Sequence, residues 1–146
     1  MSGELSAEAL AEIYAHAEAG YPEEVCGLVI AGVEVRRCEN RQNALHAEDP
    51  AHFPRDARTA YNLGAKDLFF LDKSLRSARP VTIIYHSHVE VGAYFSDEDV
   101  RAAAPEGELV YPVDYLVVDA KKAGAAGARL FRFEGGAFVE VARYER

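Results

Sequence analysis

Residues 83–100, IIYHSHVEVGAYFSDEDV, place two histidines two apart, His86 and His88. Ser96 follows His88 by eight residues, and Asp99 follows Ser96 by three. On a β-strand, residues two apart project to the same face. Both imidazoles can then reach one ion while Ser87 points the other way. A short connection followed by a helix start can return a third ligand to that ion, with Ser96 as N-cap and Asp99 at the third helical position. Two neutral imidazoles and one carboxylate suit zinc. Three protein ligands leave a fourth position for water, and bound Zn²⁺ lowers the pKa of that water to about 7. Hydrolysis at such a centre also needs a carboxylate outside the metal's ligand set, to take the water's proton and pass it to a leaving amine. The candidates nearest a strand are Glu23 and Glu24, just before the apolar VCGLVI.

Each element of the pattern also has an ordinary reading. An isolated His-x-His is commonly a half-buried pair. Ser96 with Asp99 resembles a capping box, and Asp97, Glu98 and Asp99 all suit the electropositive start of a helix. Capping and catalysis can coexist at Ser96, less easily at Asp99. The joint spacing of all four residues favours the metal.

The elements that must position these residues can be read from periodicity. Residues 6–19 carry Leu10, Ile13, Tyr14 and Ala17 at helical spacing, with Ser6 as N-cap and Gly20 and Pro22 as stops. A buried strand is expected over 25–31, a turn at Gly32, and a hairpin partner in VEVRRCEN. Residues 40–56, rich in Asn, Asp, Pro and His, read as a loop. A second helix is expected over 64–77, from Leu68, Leu71 and Leu75, ending before Pro80. VTIIYHSH is a central strand, residues 89–95 a loop or short extension, and SDEDVRAAA a short helix. Strands follow in DYLVVDA, ARLFRF and AFVEVARY, the last two joined at Gly135-Gly136. AKKAGAAGA reads as a flexible loop. The fold class is therefore α/β or α+β, with a central sheet of about six strands and helices on its faces.

The 146 residues suit one domain, 1–146, with one core. A formal net charge of −8 argues against a nucleic-acid binder and against an anionic membrane surface. No apolar run approaches membrane-spanning length, and no charged-then-apolar leader opens the sequence. A cytoplasmic protein with reduced Cys26 and Cys38 is expected. No C-x-x-C pair is present for a zinc ribbon or a thioredoxin-like motif.

HSH, seven residues, then SDED resembles the JAMM (MPN+) metalloprotease motif, and YPEEVCGLVIAG is similar to that family's glutamate segment. The likeness spans most of the chain, including the opening helix, the loop at Asn43 and YLVV. It is strongest, in IIYHSH, AYFSDEDV and VDYLVV, to the compact bacterial branch that includes the peptidase removing cysteine from a sulfur-carrier protein. The resemblance implies a single MPN domain, cytidine-deaminase-like in outline. It implies one Zn²⁺ held by His86, His88 and Asp99, with Glu24 as general acid/base and Glu23 pointing away. Ser96 would hold the water or stabilise the oxyanion. The implied substrate is an amide bond after the Gly-Gly tail of a small β-grasp ubiquitin-like sulfur carrier.

The sequence departs from many such relatives in having Val89 where they carry proline, and 146 residues leave no room for insertions that grip polyubiquitin. Three rivals are a catalytically dead MPN scaffold, a DNA-associated RadC-like protein and a zinc deaminase. No metal ligand of the motif is missing, HSHVEVG is not His-Asn-His-Pro-Ser-Gly, and the deaminase motifs are absent. The resemblance places Cys26 in a buried strand, where a packing role is favoured over a reactive thiol. His46 and His52 read as solvated loop residues, and His16 has no evident partner. Residues 105–112 could be a flap over the site or an ordinary surface loop.

Overall fold

The computed structural model describes residues 5–146. Helix α1 (Ala7–Gly20) leads into the β1 (Cys26–Ile30) and β2 (Glu34–Cys38) hairpin, then α2 (Gln42–Glu48) and α3 (Ala65–Ser74). Strand β3 (Val81–Val89), helix α4 (Asp97–Ala103) and strands β4 (Asp114–Lys121), β5 (Gly124–Glu134) and β6 (Ala137–Glu145) complete the chain. The strands form one mixed sheet in the order β2-β1-β3-β4-β5-β6. Only the β3–β4 pair is parallel; its crossover carries α4. No helix among the described residues is long and apolar enough to cross a membrane.

Strand periodicity sorts β3 between two layers. Ile83 and Tyr85 enter the core cluster built on α1, with Ile13, Tyr14 and Ala17 from the helix and Leu116 and Leu130 from the sheet. Ile84 lies on the other face, packed with Leu28 of β1, Leu71 of α3 and Ala103 of α4. His86 and His88 follow Ile84 by twos and inherit that second face, where α4 returns. Two-sided coverage is why β3 is buried nearly throughout.

Local signals explain most boundaries. The Ser6 Oγ accepts from the Ala9 N–H at 3.1 Å and starts α1. Gly135 and Gly136 both have positive φ, 60° and 86°, as a tight hairpin turn requires. Two expectations need correction. Residues 40–56 are not all loop: α2 occupies Gln42–Glu48. It lacks a side-chain cap and has only Gln42 buried, so neither caps nor an apolar stripe announced it. Residues 120–128 are not a flexible loop either, since β5 begins at Gly124 and pairs Lys121 with Gly124 and Ala120 with Ala125. Ala and Gly are poor strand formers by propensity. Here small size is needed, because Ala125 and Ala128 pack in the α1 core cluster and a side chain on Gly127 would strike the Tyr144 carbonyl oxygen.

Gly27 shows the same constraint beside the site. A Cβ there would collide with the ring of fully buried Tyr85. Gly27→Ala should therefore destabilise the fold by about 1–3 kcal/mol through overpacking. Chemical denaturation checks this, and an unchanged midpoint would show that the ring can yield.

Candidate metal centre

His86 and His88 end β3, and Asp99 sits in the first turn of α4. One ligand atom from each lies within 4.8 Å of the others, and all three residues are buried. The His86 Nε2 is 3.2 Å from Asp99 Oδ1, and the His88 Nε2 is 3.1 Å from Asp99 Oδ2. The His88 Nδ1 lies 3.1 Å from the Gly92 carbonyl oxygen. A carbonyl can only accept, so Nδ1 carries the proton and Nε2 presents a bare lone pair when the ring is neutral. That lone pair faces a carboxylate oxygen. Neither nitrogen of fully buried His86 has a hydrogen-bond partner. Two ring nitrogens and a carboxylate thus converge in a buried pocket, each able to present an electron pair. The donor set fits a divalent cation with nitrogen and oxygen preference.

The charges follow from burial. Burial lowers the His86 pKa below 6.5, against the opposing pull of Asp99, and keeps the ring neutral. For Asp99 burial acts upward, but the adjacent His86 and His88 rings and the hydrogen bond from the Ser96 N–H outweigh it and hold the group ionised. Neutral imidazoles and an ionised carboxylate are the ligand forms a metal requires.

Asp99 also caps its helix. Its Oδ2 accepts from the Ser96 N–H at 3.0 Å, while the Ser96 Oγ accepts from the Asp99 N–H at 3.0 Å. The capping box and the ligand position, expected to compete at Asp99, are one arrangement. The cap orients the carboxylate toward the histidines. With its oxygen engaged by the Asp99 N–H, the Ser96 hydroxyl keeps its own proton to donate into the cleft that Ser96, His88 and Glu24 line together.

Glu24 is 7 % exposed and Glu23 points to solvent, its Oε2 accepting from the Asn43 side-chain amide at 2.9 Å. Burial and the nearby Asp99 raise the Glu24 pKa to about 8, partly offset by Arg55. The group is poised near neutrality, where a proton shuttle is effective. Backbone contacts set its place. The Glu24 N–H donates to the Ala57 carbonyl at 2.7 Å, and the Glu24 carbonyl accepts from the Asn40 side chain at 2.9 Å. The next residue, Val25, donates its N–H to the Ser87 Oγ at 2.8 Å. Ser87 therefore has a task on the face opposite the histidines: it fastens the start of β1 to β3. A serine set between the two histidines, on the opposite face of a strand expected to be central, was the available signal for it.

Sequence reasoning also missed Tyr61, Arg55 and Arg58. The Tyr61 ring stacks on His86, with centroids 4.4 Å apart and planes 19° apart. His88 is oriented by a hydrogen bond, His86 by this stack. Other candidates do not join the centre. His46, expected in a loop, sits half-buried in the last turn of α2 and bonds the Phe53 carbonyl, while exposed His52 bonds the Asp49 carboxylate. His16 does have a partner, the Tyr85 hydroxyl at 2.7 Å on the α1 side. Cys26 and Cys38 are free, buried cross-strand neighbours, and burial raises both thiols, Cys38 to about 12. Residues 105–112 do not line the cleft; Leu109 and Tyr111 pack on the second core cluster.

A mixed α/β domain with a two-histidine, one-carboxylate group that could hold a metal ion is thus defined by geometry. Residues 6–133 match the family described as prokaryotic homologs of the JAB domain, and the chain belongs to that family, which includes metallopeptidases. A solution structure from Desulfitobacterium hafniense is similar, with TM-score 0.62 and 18% identity over 94% of this chain and 88% of that one. A second, from Salinibacter ruber, has TM-score 0.62 and 20% identity over 98% and 91%. Both likenesses concern the fold. No match was found among curated proteins.

Two outcomes follow. Tyr61→Leu should weaken metal affinity by about tenfold, as loss of an orienting neighbour does, while Tyr61→Phe retains it. Competition against a metallochromic chelator reads both, and equal affinities would remove Tyr61 from the site. The second concerns Glu24 in the metal-free protein. Between its unfolded value of 4.5 and its folded value of about 8, the unfolded chain releases a proton that the folded chain keeps. Stability contributed by this proton is complete below the unfolded pKa and is lost as pH rises through the folded one. Glu24→Gln should match wild type in thermal melts near pH 4 and exceed it near pH 9, to be read across roughly that range.

Proposed function

We propose that this protein is a cytoplasmic zinc peptidase that hydrolyses the amide bond after the C-terminal Gly-Gly of a small β-grasp, ubiquitin-like sulfur carrier, releasing cysteine or a short extension. The observation that carries the reading is Glu24, a buried carboxyl with its pKa near neutrality, lining one cavity with His88 and Asp99 of the His86–His88–Asp99 group. Two imidazoles and a single carboxylate favour zinc over magnesium or calcium, which prefer all-oxygen shells. When bound, zinc polarises a carbonyl and acidifies a water molecule.

The chain's own residues do the rest. Glu24 accepts a proton from the attacking water and delivers it to the leaving nitrogen. Water contributes a hydroxyl to the acyl carbon and a proton to the amine as the C–N bond breaks. The Ser96 hydroxyl donates to the oxyanion that develops. The cleft holds about 300 Å³ between Val89, Val91 and Tyr94 on one side and the 55–59 segment on the other. A glycine tail, without side chains, suits a cleft of that size.

The purified protein should contain about one zinc per chain, the usual stoichiometry for such a site, and should cleave a carrier–cysteine conjugate until a chelator removes the metal. Glu24→Gln should keep its zinc and lose about a hundredfold or more in turnover. Full turnover in that variant, or a zinc-loaded protein that binds the carrier without cutting it, would replace the peptidase with a binding scaffold.

A further inference from the structure

The cleft carries two cationic residues with no role in the chemistry above. Arg55 and Arg58 both line it beside Glu24, in a chain whose net charge is −8. Their segment is held in place by side-chain amides. Gln42 donates to the Arg55 carbonyl at 2.8 Å, the Asn43 Oδ1 accepts from the Ala57 N–H at 2.8 Å, and Asn40 donates to the Ala60 carbonyl at 3.1 Å. The Glu24 N–H closes the set on the Ala57 carbonyl. The arginines are therefore built onto the same scaffold as Glu24.

We propose that Arg55 and Arg58 form a carboxylate subsite for the leaving group, so that the protein acts as a carboxypeptidase removing a terminal residue rather than as an isopeptidase acting on a lysine side chain. This rests on the peptidase reading and specifies its substrate. Glu24 hands its proton to the leaving nitrogen, so that nitrogen must lie against Glu24. In a single released amino acid the α-carboxylate is two bonds from that nitrogen, and each further residue would carry it about 3.5 Å away. A lysine ε-amine presents no carboxylate there at all.

Present partners do not block the subsite. Arg55 meets Glu98 through its Nη2 at 3.3 Å, with both side chains nearly half exposed. Exposed pairs of this kind contribute little and exchange readily. Glu98 already has a second partner, Arg101, at 2.9 Å, so releasing Arg55 does not strand it. A second guanidinium edge of Arg55 donates to the Thr59 carbonyl at 3.1 Å and keeps the head aimed. Arg58 is braced by Asp56 and keeps 68 % of its side chain exposed. Arginine's planar fork matches a carboxylate in two-point contact.

The test compares a peptide ending in Gly-Gly-Ala with a free carboxylate against the same peptide amidated, using the metal-loaded full chain. Wild type should favour the free acid in kcat/KM by about ten- to a hundredfold, the range for a charge-assisted hydrogen bond. In Arg55→Gln/Arg58→Gln that ratio should fall toward one with metal content retained. The single, mostly exposed Arg58→Gln, expected to show a partial fall, guards against a folding defect. Equal rates in wild type, or a preference that survives in the double variant, overturns the subsite. If neither peptide is cut, the peptidase reading fails on its own. Calorimetric titration of both peptides into Glu24→Gln then decides: tighter free-acid binding that the arginine variant loses supports the subsite, and equal binding overturns it.

Discussion

Everything in this fold is arranged around three electron-pair donors held within a few ångströms of one another where water is scarce. The Nε2 atoms of His86 and His88 both face the Asp99 carboxylate, and a neutral His88 ring, its proton directed at the Gly92 carbonyl, offers that carboxylate none. Such a juxtaposition is costly in isolation, since buried polar atoms need partners. It persists because stronger constraints hold each donor: strand pairing for the histidines and a capping box for the aspartate. A cation turns the same arrangement from unfavourable to favourable, which is how metal binding becomes part of folding.

The layers around β3 explain why the arrangement stays rigid. Strand β3 lies between β1 and β4 with apolar cover on both faces, so its end cannot slide without disturbing two ladders. A slip of one residue would exchange His86 and His88 for Ser87 and turn every side chain to the wrong layer. Ser87 is itself committed to the Val25 N–H, one residue from Glu24. The metal-binding group and the proposed proton carrier are thereby joined through a single buried hydroxyl.

The 55–62 segment adds the remaining functional groups by a different physical means. It has neither helix nor strand pairing to hold most of it, and the amides of Asn40, Gln42 and Asn43 take over that task. Backbone groups that would otherwise need solvent are satisfied in place, so an irregular stretch becomes a fixed wall of the cleft. Tyr61 reaches His86 from this wall and Arg55 reaches toward Glu24, which gives the segment influence over both the ligand geometry and the charge of the site.

What was legible in the sequence was whatever obeys a local period or a local cap. The two-residue alternation of β3 put His86 and His88 on one face, helical spacing marked α1, and Ser96 with Asp99 announced the start of α4. Six strands could be anticipated, although the small residues of 124–128 concealed the start of β5, because their value lies in what packs over them. Helix α2 was hidden for the complementary reason, having neither cap nor apolar stripe. Distance between segments was not legible. The choice of Glu24 over Glu23 rests, in the structure, on burial against Asp99. The stacking of Tyr61 and the placement of Arg55 and Arg58 depend on hydrogen bonds spanning 13 to 20 residues, which no periodicity encodes. The sequence by itself determined which atoms could hold a metal, because strand and helix geometry act over a few residues. Only the tertiary structure decided what surrounds those atoms, because burial and field depend on neighbours brought together from distant parts of the chain.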